Sequence, residues 1–316
     1  MRSQNSPRWL VILAFMAIYI VWGTTYLAIV YGIKGFPPFV LTALRCVIAG
    51  IILLVWCLAR GEKLPNAATL KNTSVSGILM LVGGTGLVTW AEQYVNSGYA
   101  AIIMATEPFF FLLMDRKEWG IYFSNKWVLS GLVTGFTGIV LFFHYTQAAP
   151  QEAKDPGMLL TGNLVLLLGA ILWVIGSLYA KYKLDHSHSN TLTTGLQLLA
   201  AGLFSALTAL FTGEWADFNI SAASPAAWGG LLYLITMGSL VAYMAFTWLI
   251  TIRPPALVST HTYVNPVVAV VIGWAFANEQ ITLLQIMSLL VILVGVLFTN
   301  VPNYRLVKAN KQMTVN

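Results

Sequence analysis

Three charged side chains interrupt otherwise apolar stretches of this sequence: Arg45, Glu92 and Glu107. A charge at the centre of a bilayer costs at least about 2.5–3.5 kcal/mol on insertion scales, so each needs a partner or a wet cavity. Glu107 is followed directly by Pro108, whose ring removes a backbone donor and frees the carbonyl one turn earlier. A carboxylate beside such an opening can exchange a proton, or it can stay protonated and hydrogen-bond a neighbouring helix. Asn265-Pro266 repeats the arrangement with an uncharged amide. His261 stands one helical turn before Asn265 and shares its face. An imidazole there is either a second proton carrier or a plain donor to a carbonyl. Arg45 lies about 9–11 Å, and Glu92 about 5 Å, from the same edge of their apolar runs, at 1.5 Å per helical residue. Their side chains can meet, as a static bridge between helices or as a gate that clamps a carboxylate near the outer mouth.

Around these groups the sequence places many rings, 13% of all residues. Trp22, Tyr26, Trp90, Trp173, Tyr243, Trp248 and Tyr263 fall at depths where they can line a cavity, with the Thr262 hydroxyl and the Asn265 amide as polar points. Ring faces accept apolar groups and cations, which suits an amphipathic or aromatic ligand. The sequence holds no H-E-x-x-H, no G-x-S-x-G and no cluster with metal-ligand spacing, so neither an intramembrane enzyme nor a cofactor is expected. Cys46 and Cys57, about 16 Å apart along one helix, read as buried thiols and not as a disulfide.

The elements that hold these residues follow from composition. Of 316 residues, 58% are hydrophobic and only 9% charged, with a mean hydropathy of +0.77. A soluble domain carries about 25% charged residues. A bilayer core of about 30 Å takes roughly 20 apolar residues per helix. Ten segments fit, at 9–31, 38–59, 73–95, 97–114, 124–145, 159–180, 191–212, 226–250, 256–277 and 282–300. The first is too long for a signal-peptide core and is expected to remain as an anchor. The net charge of +6, from 17 Lys+Arg against 11 Asp+Glu, would suit nucleic acid only as a patch. With a cytoplasmic N-terminus, 14 Lys/Arg fall in cytoplasmic segments and 2, Lys34 and Lys154, in outer loops. Such bias orients membrane proteins, so both termini are expected in the cytoplasm and no nucleic acid is expected as partner.

The two halves also echo each other. At an offset of 152, Thr42-Ala43-Leu44-Arg45 falls on Thr194-Gly195-Leu196-Gln197, and Ala49-Gly50 on Ala201-Gly202. At 158, Glu107-Pro108 falls on Asn265-Pro266 and Trp90 on Trp248. Five spans per copy turn the second copy upside down in the membrane. The expected organisation is a tail (1–8), a five-helix repeat (9–145), an outer linker (146–158), a second repeat (159–300) and a basic tail (301–316). Glycines 131, 135 and 138 offer a small face for close packing, within the chain or at a dimer seam.

On this order of motifs the sequence resembles the drug/metabolite transporter superfamily, in its ten-helix EamA-type branch and in particular its YedA-like bacterial inner-membrane members. The likeness is carried by Tyr19-Ile20-Val21-Trp22-Gly23-Thr24-Thr25-Tyr26, Phe36-Pro37-Pro38, Leu44-Arg45, Gly61-Glu62-Lys63-Leu64-Pro65, Ala105-Thr106-Glu107-Pro108 and Tyr263-Val264-Asn265-Pro266. Glu279 matches the acidic residue that family members carry before the last helix of a half. The resemblance implies an all-α inner-membrane protein of two inverted five-helix repeats. It implies export of small metabolites, amino-acid-like or amphipathic, through a central cavity by alternating access, with protons or exchange as the driving force. A facilitative or exchange carrier for small organic solutes is the alternative.

Overall fold

The computed structural model describes residues 7–95, 97–146, 156–185, 187–277 and 283–313, and among these every regular element is helical. Among the described residues six helices are long and apolar enough to cross a membrane: α1 (Arg8–Gly32), α2 (Pro38–Ala59), α3 (Ala67–Ala91), α8 (within Pro156–Lys183), α9 (Asn190–Phe211) and α11 (Pro225–Ile252). Between and after them lie α4 (Ser97–Met104), α5 (Glu107–Met114), α6 (Trp119–Ser124), α7 (Lys126–Thr146), α10 (Glu214–Asp217), α12 (Pro255–Val258), α13 (His261–Ala277) and α14 (Leu283–Met313). Helices are the form such a sequence must take, because hydrocarbon offers no partner for exposed peptide groups.

Helix boundaries follow local chemistry. Pro38 and Pro225 stand at first-turn positions, where a missing N–H costs nothing. Asn66, Ser189 and Ser224 cap α3, α9 and α11 through their side chains. The Asn66 cap starts α3 six residues before the apolar run at 73. α2 and α9 both end on a glycine in the left-handed region, Gly61 at φ 81° and Gly213 at φ 78°. The expected helix at 97–114 is two pieces, interrupted at Ala105-Thr106, so that Pro108 sits in the first turn of α5. The second half is interrupted at Ser259-Thr260, between α12 and α13, four residues before the position the 158 offset gives. Pro266 was expected to break its helix. Instead it lies inside α13, where its missing N–H leaves the Thr262 carbonyl without its usual donor. Three stretches, Ala17–Val21, Ile78–Gly86 and Leu234–Tyr243, are wound more loosely, as π-helix.

Two helix pairs are packed most extensively, α2 with α9 and α7 with α14. Both seams are glycine-lined and reciprocal. A Cβ on Gly50 would stand 2.7 Å from Leu199 N, and one on Gly202 2.6 Å from Val47 N. Both relations carry the same offset of 152. In the other seam Gly138 abuts Ile292 N and Gly295 abuts Gly135 N, at an offset of 157. The 131/135/138 glycine face is therefore used within the chain.

Contacts sort the connecting segments onto two ends of the bundle. At the near end, where α1 begins, Glu62 meets Ser189, Asn72 meets Tyr179, and Glu118 meets Lys181. At the far end Phe36 packs on Phe218 and Trp228, and Glu214 reaches Phe39 and Val40.

Candidate functional site

A cavity lies between the halves, running from mid-depth toward the far end. Its void measures about 70 Å³, room for a few water molecules. Its polar lining comes from Trp22, Thr25 and Tyr26 of α1, Arg45 of α2, Thr85 of α3, Glu107 of α5, Trp173 of α8, Tyr243 of α11, and His261, Thr262 and Asn265 of α13. Ile29, Leu81, Val88 and Met104 complete it with apolar surface. The loosely wound stretches flank it: Trp22 directly follows one, Leu81 and Thr85 lie within the second, and Tyr243 closes the third.

The floor is aromatic. The Trp22 ring meets the His261 ring edge-on at 4.6 Å and the Trp173 ring at 5.4 Å, and Phe246 packs against all three. A glycine makes room for this stack, since a Cβ on Gly84 would stand 2.7 Å from the Trp173 ring. Trp22 Nε1 donates to the Gly238 carbonyl at 3.4 Å. The Tyr243 hydroxyl donates to Gln197 Oε1 at 3.0 Å, and Gln197 Nε2 donates to Ser76 at 2.8 Å. Gln197 is the residue that the 152 offset pairs with Arg45. On α13 the Asn265 amide, oriented to satisfy both its ends, donates to the carbonyls of His261 at 2.9 Å and Tyr19 at 3.3 Å.

Four other lining residues have buried polar atoms with no partner among the described residues: Arg45 Nε, Glu107 Oε2, Trp173 Nε1 and both ring nitrogens of His261. Arg45, Glu107 and His261 are each under 5% exposed. A buried polar atom left without a hydrogen bond costs about 1–3 kcal/mol. Four such residues on one void therefore form a site that a polar ligand or water would satisfy.

The near end is closed beneath this site. Asp115, 1% exposed, accepts from Tyr182 at 2.5 Å and from Tyr122 at 3.0 Å. The Tyr122 hydroxyl in turn accepts from Ala256 N at 3.4 Å. Lys181 Nζ bridges to Glu118 at 3.0 Å and to the Arg253 carbonyl at 3.4 Å, while Lys117 lies over the Tyr182 ring at 4.2 Å. Burial, and then the Asp115 carboxylate, push the Tyr122 hydroxyl well above its ordinary pKa. Both tyrosines act as donors to Asp115. A Tyr19–Thr260 hydrogen bond of 2.8 Å closes the gap between α1 and the start of α13.

Of the residues singled out in the sequence, Trp22, Tyr26, Glu107, Tyr243, Thr262, Asn265, His261 and Arg45 meet on the cavity. Trp90, Trp248 and Tyr263 are not among its lining residues. Tyr263 is turned toward α7, with its ring against Gly135 and its hydroxyl donating to the Leu132 carbonyl. Trp248 packs against the main core, and the Trp90 ring meets that of Tyr94 at a 58° tilt. The expected Arg45–Glu92 pair is not seen. Arg45 opens onto the cavity, Glu92 is buried off it, and the ion pair formed among the described residues is Lys181–Glu118. Glu279 lies outside the described residues. The Asp115 cluster was not anticipated, because its three members become neighbours only when α5, α6 and α8 converge.

The family model for the EamA-like transporter family matches this chain twice, over residues 9–144 and 160–301. The chain is 34% identical over 298 residues to the uncharacterized inner membrane transporter YedA of Escherichia coli K12, covering 92% of this chain and 90% of that one. It is 24% identical over 291 residues to the uncharacterized transporter YoaV of Bacillus subtilis, covering 90% and 95%. A solved crystal structure at 18% identity superposes with a TM-score of 0.73 over 95% of this chain and 99% of its own, a likeness of fold. With both halves matched and a relative one-third identical across nine-tenths of its length, the chain belongs to the EamA-like transporter family, a family of multi-pass membrane proteins.

Proposed function

We propose that this protein is a secondary transporter that exports small amphipathic or aromatic metabolites, amino-acid-like ones included, across the inner membrane by alternating access. The observation that carries this is the convergence of four buried, unsatisfied polar residues on one aromatic-floored cavity. A ligand with a carboxylate, an ammonium and a ring would meet Arg45, Glu107 and the Trp22–Trp173 pair respectively. Glu107 and His261 are the groups placed to carry a proton with it.

The halves 9–145 and 159–300, joined by 146–158, are read as inverted five-helix repeats. The reciprocal glycine contacts at both seams support this, since a two-fold relation requires that each contact occur twice with partners exchanged. So does a family model that matches each half once. The near end holds Arg60, Lys63, Lys71, Arg116, Lys117, Lys126, Lys181, Lys183 and Arg253, and this clustering supports reading that end, with both termini, as cytoplasmic. The molecule is then closed inward, and its cavity extends outward. The test is flux in proteoliposomes, with L-tryptophan and tetraphenylphosphonium as probes, with and without a pH gradient. Saturable flux that Glu107→Gln uncouples from the gradient is the expected result. Flux of neither probe above protein-free liposomes would refute the substrate class, and unchanged pH dependence in Glu107→Gln would refute the proton role.

A further inference from the structure

α2 ends in Gly61-Glu62 and α9 in Gly213-Glu214, and the two pairs are separated by the same offset of 152 that relates the helices. In each, the left-handed glycine turns the chain back so that the glutamate points across the seam at its partner helix. Glu214 Oε2 accepts from Phe39 N at 2.8 Å and Val40 N at 3.1 Å, the open first turn of α2. Glu62 Oε2 accepts from Ser189 Oγ at 2.6 Å, and Ser189 Oγ accepts from Leu192 N at 3.1 Å, the open first turn of α9. Leu192 and Val40 are themselves related by 152, so one amide position in each copy is served by the same glutamate of the other. The routes differ for a local reason. Position 189 is a serine that can relay the bond, whereas its counterpart, Pro37, has no side-chain acceptor, so Glu214 reaches the amides directly. The first amides of a helix lack intrahelical partners, and a carboxylate there also meets the favourable end of the helix dipole.

We propose that Glu62 and Glu214 are positioning residues: a repeat-related pair of clasps that fix α2 and α9 together at both membrane faces as the static frame of the transport cycle. This rests on the inverted-repeat reading above. In such a molecule the two states arise when the copies exchange conformations, so a contact that differs between the faces belongs to the gate. A contact made at both faces at once favours neither state. The Asp115–Tyr122–Tyr182 closure is found at the near end, with the cavity extending toward the far end, and so belongs to the first kind. The clasps belong to the second. Arg45, about one and a half turns into α2 from Val40, is thereby held over the cavity from a fixed helix.

The test is hydrogen exchange on the full-length protein in lipid nanodiscs, which needs no substrate. Glu214→Ala is expected to speed exchange at Phe39 and Val40 by about five- to tenfold, the usual effect of losing a helix cap, and Glu62→Ala, which frees the Ser189 cap from its anchor without removing it, to speed exchange at Leu192 by about two- to fivefold. Glu214→Gln and Glu62→Gln keep an acceptor oxygen and are expected to retain most of the protection, which also covers the case in which an alanine variant does not fold. Cys57, buried beside Glu62 and Ser189, gives a second readout: its maleimide labelling should rise in Glu62→Ala and not in Glu214→Ala. Asp115→Ala, which breaks the near-end closure, should leave exchange at Phe39, Val40 and Leu192 unchanged. Unchanged exchange in both alanine variants would overturn the clasps. Accelerated exchange at both sites in Asp115→Ala would overturn the static frame. These outcomes are read without flux, so a failed transport assay leaves them standing, and a C-terminal topology reporter tests the repeat reading separately.

Discussion

The α2–α9 seam makes a quantitative demand on its glycines. In Gly50→Ala the added Cβ would stand 2.7 Å from Leu199 N and 3.0 Å from the Gly195 carbonyl oxygen, about 0.7 Å and 0.4 Å inside ordinary contact at 3.4 Å. Both neighbours are backbone atoms, so no rotamer change relieves them and the helices must separate. Overpacking of this kind costs about 1–3 kcal/mol. Alanine also gains about 1 kcal/mol of helix propensity over glycine, so the proper control is Gly229→Ala, in α11, where an added Cβ meets nothing within 4 Å. That control gains the propensity and suffers no clash. At about 2 °C per kcal/mol for a chain of this size, Gly50→Ala should unfold about 2–6 °C below Gly229→Ala in mild detergent. Gly202→Ala, with Val47 N at 2.6 Å, should match Gly50→Ala. Because one outward shift of α9 relieves both clashes, the double variant should cost less than the sum of the singles. A Gly50→Ala midpoint equal to that of Gly229→Ala would refute the close approach. Full additivity would refute the shared, reciprocal seam.

Asp115→Ala removes the acceptor of two tyrosine hydroxyls and should destabilise the protein by about 2–4 kcal/mol, with Asp115→Asn milder, as read by thermal unfolding. Arg45→Lys keeps the charge but loses the planar fork. If Arg45 grips a carboxylate, its apparent KM for L-tryptophan flux should rise at least about tenfold, and an unchanged KM would exclude that grip. Burial, with a smaller contribution from Asp217, pushes the Glu214 carboxyl up, and the amides of Val40 and Phe39 only partly offset it. A folded-state pKa above the unfolded value means that folding favours the proton. The contribution of this group is therefore complete below the unfolded value, near about 4.3, and declines as pH rises through the folded one. The wild type should lose stability relative to Glu214→Gln on raising the pH from about 4 into that range, and the outer clasp should survive acidification.

Much of the candidate site was legible because the bilayer makes polar residues conspicuous. Arg45, Glu107, His261 and Asn265 stand out by type alone, and helical spacing put His261 and Asn265 on one face. Depth could also be counted, at a fixed rise per residue. What could not be counted was rotation. Tyr263 lies two residues from Asn265 and is turned by most of a half circle, onto Gly135 of α7 and away from the cavity. Pro266, which follows Asn265 as Pro108 follows Glu107, stays within a helix, and the interruption lies instead at Ser259-Thr260, where both flanking segments are buried.

By itself the sequence determined that the chain is a helical membrane protein, since 9% charge cannot cover a soluble surface of this size. It also determined the near-end clustering of Lys/Arg, the kinship of the halves and the polar residues that must find company. Only the tertiary structure decided which of them keep that company. Seams of glycine fix how far α2 and α9 approach and how each is rotated, and those two quantities set what faces the cavity. The same packing brings Asp115 to Tyr122 and Tyr182, and the glutamates after α2 and α9 to each other's first turn. These are contacts between residues 7 to 175 positions apart, and no local periodicity encodes them.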